Sequence, residues 1–412
     1  MNFKLKTIIP LTFLLISPIL LLSQKNSHHP YSRFGIGEVA NQGFTQSQAL
    51  GGISAGLRFN NKINLQNPAS YTSQDTNSFV FDVGLRSAQN RFSTENNSVV
   101  KSETGVDHMA IAFPINTKWK SSIGLVPFSN VGYHIKTSSE NYSLTRFDEY
   151  EGKGGIKKLY IGNAYEINPN LSVGINYFYL FGTINHNSDI GWEDQQVYRH
   201  NALVTRKSKK VRAHAFNLGV QFQPDVMKNY DLTIGASYDL SPGFGIEEET
   251  SYTTFLDTLT QSSGMENMNY PSNLMMGFSI SNDKILWGAD FNYTQWSNLK
   301  NLDNITDSYS IHTGFQYVPD KEALKSYLKK INYRFGAYFK NGYYQFDDTK
   351  IKDYGITFGL GLPLNYRKTN FNISCKLGRK GTLDDGYIQK EYAIINFSVT
   401  FFDFWFIQRK YH

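Results

Sequence analysis

The groups with the most reactive chemistry in this chain are nine histidines and one cysteine, and neither set is spaced for catalysis. No His-Glu-x-x-His pair or phosphate loop stands out. Cys375 is alone, so the chain can form neither an internal disulfide nor a multi-cysteine metal site. His28 and His29 are adjacent near the amino end, where a solvated pair is the simpler reading than a metal site. The polar candidates with a shared logic are Asp82, Arg86, His108, Asp239, Asp290, His312 and Arg334. Each falls on the polar face of a segment whose residues alternate. They could pair with one another or hold an internal segment, which is the simpler reading. Alternatively some could bind a ligand carboxylate, as arginine does well. Glu247, Glu248 and Glu249 read as a solvated run. No catalytic set, metal site or cofactor site is expected.

The elements that must carry these residues are strands. The chain has 412 residues, 15% aromatic and only 18% charged, with 33 glycines. That composition excludes a disordered chain and fits a large β-structure. A mean hydropathy of −0.40 excludes a bundle of transmembrane helices. A net charge of +6, without a dense basic run, gives no nucleic-acid footprint.

Period-two alternation dominates from Phe79 onward. Leu171, Val173, Ile175, Tyr177, Tyr179 and Phe181 alternate with Ser172, Gly174 and Asn176. Ile395, Phe397, Val399 and Phe401 alternate with Asn396, Ser398 and Thr400, and Cys375 falls on the apolar face of its segment. About fourteen such segments occur, each near the roughly 9–11 residues of a tilted membrane strand. They begin near Phe79, Val106, Trp119, Ile156, Leu171, Val211, Asp231, Ser272, Lys284, Ser308, Ile331, Ile351, Thr369 and Ile388. Short connectors such as 116–118, 168–170 and 282–283 alternate with long ones at 89–105, 137–155, 185–210 and 241–271. That parity predicts an all-β fold, a transmembrane antiparallel outer-membrane β-barrel of about 14 strands. Residues 319–330 break the parity and read as a small charged helix.

Lys4 and Lys6, an apolar run to Leu22 and the Ser23–Gln24 step predict a secretory signal peptide over 1–23. Residues 24–77 lack alternation, and Phe34, Ile36, Phe44, Leu50, Ile53, Leu57 and Phe59 give them something to bury. They are expected to form a hatch inside the lumen, ahead of a barrel over 78–412. The expected location is the outer membrane, with lipid around the wall and both termini periplasmic.

Several short pieces resemble the long-chain fatty acid (FadL) and toluene-transporter family of outer-membrane proteins. They are Ala49-Leu50-Gly51-Gly52, then Asn67-Pro68-Ala69-Ser70, Tyr270-Pro271 with Gly277 and Phe278, and Gly359-Leu360-Gly361-Leu362-Pro363. The opening 31–37 and the ending 405–410 resemble Bacteroidetes-type members. The resemblance implies a barrel closed by a glycine-rich hatch ending in Asn67, Pro68 and Ala69, passing hydrophobic molecules inward. It also implies a kinked third strand that opens the wall, here at Pro127 and Gly132.

Three functions follow in order of expectation. The first is passive uptake of a hydrophobic small molecule, such as a fatty acid or aromatic compound, through a hatch-gated barrel. The second is a non-transporting accessory subunit of an outer-membrane protein secretion or assembly machine, with a protein partner at the extracellular loops. The third, a polar porin, fits poorly with a plug.

Overall fold

The computed structural model describes residues 30–404, apart from 142–143, 195–198, 269–270, 299–303, 324, 347–348 and 365–368. The expected signal peptide, His28, His29, Tyr270 and the 405–410 ending lie outside the described residues.

Sixteen strands follow in chain order: β1 (Glu38–Val39), β2 (Ser78–Ser93), β3 (Ser98–Pro114), β4 (Trp119–Asn141), β5 (Leu144–Asn168), β6 (Leu171–Asp194), β7 (Arg199–Phe222), β8 (Asp231–Thr253), β9 (Thr258–Met268), β10 (Ser272–Ser281), β11 (Ile285–Gln295), β12 (Ser308–Tyr317), β13 (Asn332–Phe346), β14 (Thr349–Pro363), β15 (Asn370–Lys380) and β16 (Gln389–Phe404). Neighbours pair antiparallel, and β16 pairs with β2 from Gln389↔Ser93 to Phe404↔Ser78, which closes the ring. β9 and β10 lie along the upper and lower parts of β8, as two halves of one wall strand. β1 lies inside, against β4. The wall is thus a closed antiparallel barrel of fourteen strands. Closure is what a membrane demands of strands, because a free edge in lipid would leave backbone groups unbonded.

Alternation sorts the faces. Ile175, Ile311, Phe315, Ile356, Phe358, Ile395 and Phe397 stand exposed on the outside, while Asn176, Thr357, Asn372, Ser374, Asn396 and Ser398 are buried within. Cys375 sits between buried Ser374 and Lys376, on the outward side of β15.

The long connectors differ from expectation. They are ladder, not loop. β4 to β8 run for 23, 25, 24, 24 and 23 residues, well beyond membrane length. The stretch 98–105, expected as loop, pairs throughout with β2. Above the lipid both faces of a strand meet water, so the ladder persists while the apolar alternation that reveals it disappears. Glu248 is one such residue. On β8 it lies 2.5 Å from Lys207 and 3.8 Å from Lys209 of β7. Turns at the opposite end are short at 115–118, 169–170 and 282–284. The connector 318–331 is longer, and among its described residues a 3-10 turn (Tyr327–Lys330) stands where a helix was expected.

The N-terminal segment begins at the tall-hairpin end. The Tyr31 hydroxyl accepts from the Ile388 amide at 3.0 Å, and its ring meets Phe346 at 4.7 Å. The segment then runs through the lumen to Ser78 at the short-turn end. Among its described residues the α-helix α1 (Thr45–Ala49) packs on β13 to β16, and a 3-10 turn over Pro68–Ser73 packs on β4 to β7 across the barrel. Ile36, Phe44, Leu50, Ile53, Leu57, Ile63 and Leu65 are all buried there.

Candidate functional site

The lumen is built around this segment, and glycines let it approach the wall. A Cβ at Gly336 would lie 2.5 Å from the Leu50 carbonyl carbon, and one at Gly174 would lie 2.5 Å from that of Pro68. Gly51 and Gly52 themselves turn the chain at φ of +72° and +92°, which favours glycine. Asn67 acts twice. Its side-chain oxygen accepts from the Ala69 amide at 3.2 Å, and its amide donates to the carbonyls of Ala55 at 2.8 Å and Val220 at 3.2 Å. Pro68 opens the 3-10 turn, where the missing N–H costs nothing, and Ala69 is fully buried.

The wall residues singled out by the sequence meet this segment or each other. Asp290 on β11 accepts from the backbone amides of Ser54 at 2.5 Å and Ala55 at 2.8 Å. His312, its cross-strand neighbour on β12, bonds through Nδ1 to the Gly51 carbonyl at 2.6 Å, so that nitrogen carries the proton. Asp82 on β2 meets His108 Nε2 at 3.0 Å, and Asp107 meets His108 Nδ1 at 2.8 Å. The Phe44 ring stacks on the same imidazole with centroids 4.0 Å apart. Gln48 of α1 donates to both Asp107 oxygens at 3.2 Å. Arg334 on β13 stands apart: it donates to Gln316 at 2.8 Å and Asn372 at 3.0 Å and is almost fully buried. Arg86 pairs with Glu103 at 2.8 Å. The imidazole sits between its two carboxylates and bonds one on each side, so these three do not converge on a common point where a metal could sit.

Asp107 was not legible in the sequence. A bulge between Gly84 and Leu85 leaves it unpaired on β3, so Asp107 and His108 both turn inward. Two adjacent inward residues defeat a period-two reading. Glu38 and the lumen lysines were missed as well. Each occupies one polar position on its own element, and only the fold brings them together.

The wall is incomplete beside β4, the third strand of the ring. Its ladder with β3 ends at Met109↔Leu125, although both strands continue upward. Just above, the register of β4 against β5 slips between Pro127 and Ser129, with Phe128 the extra residue. Gly132 lies beyond the slip, opposite Lys153, and its amide donates to Ser32 Oγ at 3.3 Å. β1 covers part of the free edge through Glu38↔Asn130 and Val39↔Ser129. A cavity of about 590 Å³ opens there, lined by Val106, Asp107, Pro127 and Asn130 among others. A second cavity, of about 290 Å³, lies against α1 and is rich in lysine.

A family model described as BamG matches residues 5–412. The chain belongs to the BamG family. Solved structures similar to this BamG-family barrel include the P. putida toluene transporter TodX, at 13% identity and a TM-score of 0.57, over 90% of this chain and 100% of that one. The Ralstonia pickettii toluene transporter TbuX shares 13% identity at a TM-score of 0.59, over 87% and 98%. A Pseudomonas aeruginosa FadL homologue shares 11% at 0.57, over 88% and 99%. The BamG-family chain therefore has the FadL-type outer-membrane barrel fold. No curated protein sequence matches it significantly.

Proposed function

We propose that this BamG-family barrel does not conduct, and instead serves as an accessory subunit of an outer-membrane protein assembly or secretion machine. Its lumen is held shut by the N-terminal segment, and its tall extracellular hairpins face a protein partner. The observation that carries the reading is how the segment is held. It is bonded on opposite walls: to Asp107 and Asn396 through Gln48, to Thr357 and His312 through Gly51, to Asp290 through Ser54 and Ala55, to Ser279 through Gly56, and to Asn176 through Tyr71 and Leu65. Each such bond contributes about 0.5–1.5 kcal/mol net, and those to charged groups more. A small ligand bound at micromolar strength has only about 8 kcal/mol to set against all of them. Membership in the BamG family supports the same reading. So does the lysine-rich lining of the cavity against α1, which offers poor lodging to an apolar molecule.

A second reading, passive uptake of a hydrophobic compound, draws on the β3–β4 gap at Pro127 and on the fold shared with TodX and TbuX. Asn67, Pro68 and Ala69 would then anchor a hatch, and Pro127 would mark a sideways exit. Native mass spectrometry on the barrel, extracted gently from its own outer membrane, separates the two. A stoichiometric protein partner and an empty lumen are expected. A retained fatty acid or aromatic compound without a partner would overturn the accessory role in favour of uptake.

A further inference from the structure

The smaller cavity lies on the tall-hairpin side of α1. Lys340 of β13, Lys376 and Lys380 of β15 and Lys390 of β16 border it. Glu38 answers two of these cations, at 2.9 Å from Lys380 and 3.3 Å from Lys390. The nearby carboxylate of Asp353 accepts instead from the Tyr392 hydroxyl at 2.6 Å. That hydroxyl also meets Tyr338 Oη at 2.5 Å.

No close ion pair is seen for the other two lysines among the described residues, although Asp353, the cross-strand neighbour of Lys340, borders the same cavity. Lys376 is 6% exposed, and its ammonium lies 3.9 Å from the Tyr338 ring centre and 5.6 Å from that of Tyr392. Lys340 lies 6.0 Å from the same Tyr338 ring, and its polar contact is Asn41 Oδ1 at 3.5 Å. Two ammonium groups therefore flank one ring at the edge of an open volume. The four lysines stand against the two carboxylates of Glu38 and Asp353, so positive charge is in excess there. An ammonium held away from water without a close ion pair is costly, and a ring face returns only about 0.5–2 kcal/mol of that. A carboxylate would balance one of the two cations. A phosphate monoester near its dianionic state balances both, and offers three strong acceptor oxygens.

We propose that the pocket flanked by Lys340 and Lys376 binds a phosphate-monoester dianion. The group is either the head of a phosphorylated lipid or a free phosphate.

The test is calorimetric titration of the full chain, purified in a maltoside detergent, with dodecyl phosphate, inorganic phosphate and dodecanoate. Dodecyl phosphate alone binding identifies a lipid headgroup, and both phosphates binding identifies the free anion. Lys340→Met and Lys376→Met are each expected to weaken binding at least tenfold. Lys376→Arg and the exposed Lys321→Met are expected to preserve it. Dodecanoate binding as tightly as dodecyl phosphate would overturn the dianion assignment. Absence of binding, or binding that both Met variants leave unchanged, would overturn the site. Should the Met variants fail to fold, phosphorus NMR on the unaltered chain decides: a phosphate line that neither shifts nor broadens on adding protein refutes the proposal.

Discussion

Asp290 shows how one wall residue fixes the chain inside the barrel. Its carboxylate accepts two consecutive backbone amides, from Ser54 and Ala55, in a buried place where water cannot replace it. Asp290→Ala would leave both amides unsatisfied, at about 1–3 kcal/mol each. The expected result is local. Hydrogen exchange at residues 53–56 should accelerate by one to two orders of magnitude, while the wall strands keep their protection. Unchanged exchange at those amides would mean that other contacts hold the segment there. His108 works differently, since it joins two carboxylates and a phenylalanine rather than backbone. Of the polar residues singled out by type and alternation, Asp82, His108, Asp290, His312 and Arg334 are all buried on the inner side. What alternation could not show was their partners: those of Asp290 and His312 lie more than two hundred residues away, and Asp107 sits on a bulge.

Between elements, contact between the segment and the wall depends on side chains that are absent. Gly336 sits under Leu50 and Gly51, whereas a Cβ at Gly105 would meet nothing within 4 Å. Gly336→Ala is therefore expected to loosen residues 45–56, seen as new protease cleavage within them. Gly105→Ala should leave the digest unchanged. Equal behaviour of the two variants would argue that the segment is not seated against β13. The transmembrane parts of the strands were legible, because lipid outside and polar contacts inside impose opposite demands on successive residues. The tall hairpins were not. In β7 and β8, Lys207 to Lys210 face Glu247 to Thr250 across a ladder whose two faces are both polar. A charged run of that kind has the composition of a loop. The β3–β4 gap leaves no mark in the alternation; the kink at Pro127 was expected only from the family resemblance, and the register of β4 against β5 slips beside that residue.

As a whole molecule, the barrel combines a closed fourteen-strand wall, a wall gap beside β4, and an interior occupied by its own chain. The first two features are compatible with passage of a hydrophobic molecule. The third, with membership in the BamG family, supports a role in which the lumen stays shut and the outside of the barrel does the work. The described segment enters from the tall-hairpin end and Ser78 leaves at the short-turn end, so the anchors extend along the lumen's depth. The most direct test is conditional depletion of the protein in its own cells, followed by pulse-labelled measurement of newly assembled outer-membrane proteins beside uptake of a labelled fatty acid and a labelled aromatic compound. The account predicts that assembly or export of other outer-membrane proteins falls severalfold while uptake of both compounds is unchanged. Normal assembly with a loss of uptake would contradict it.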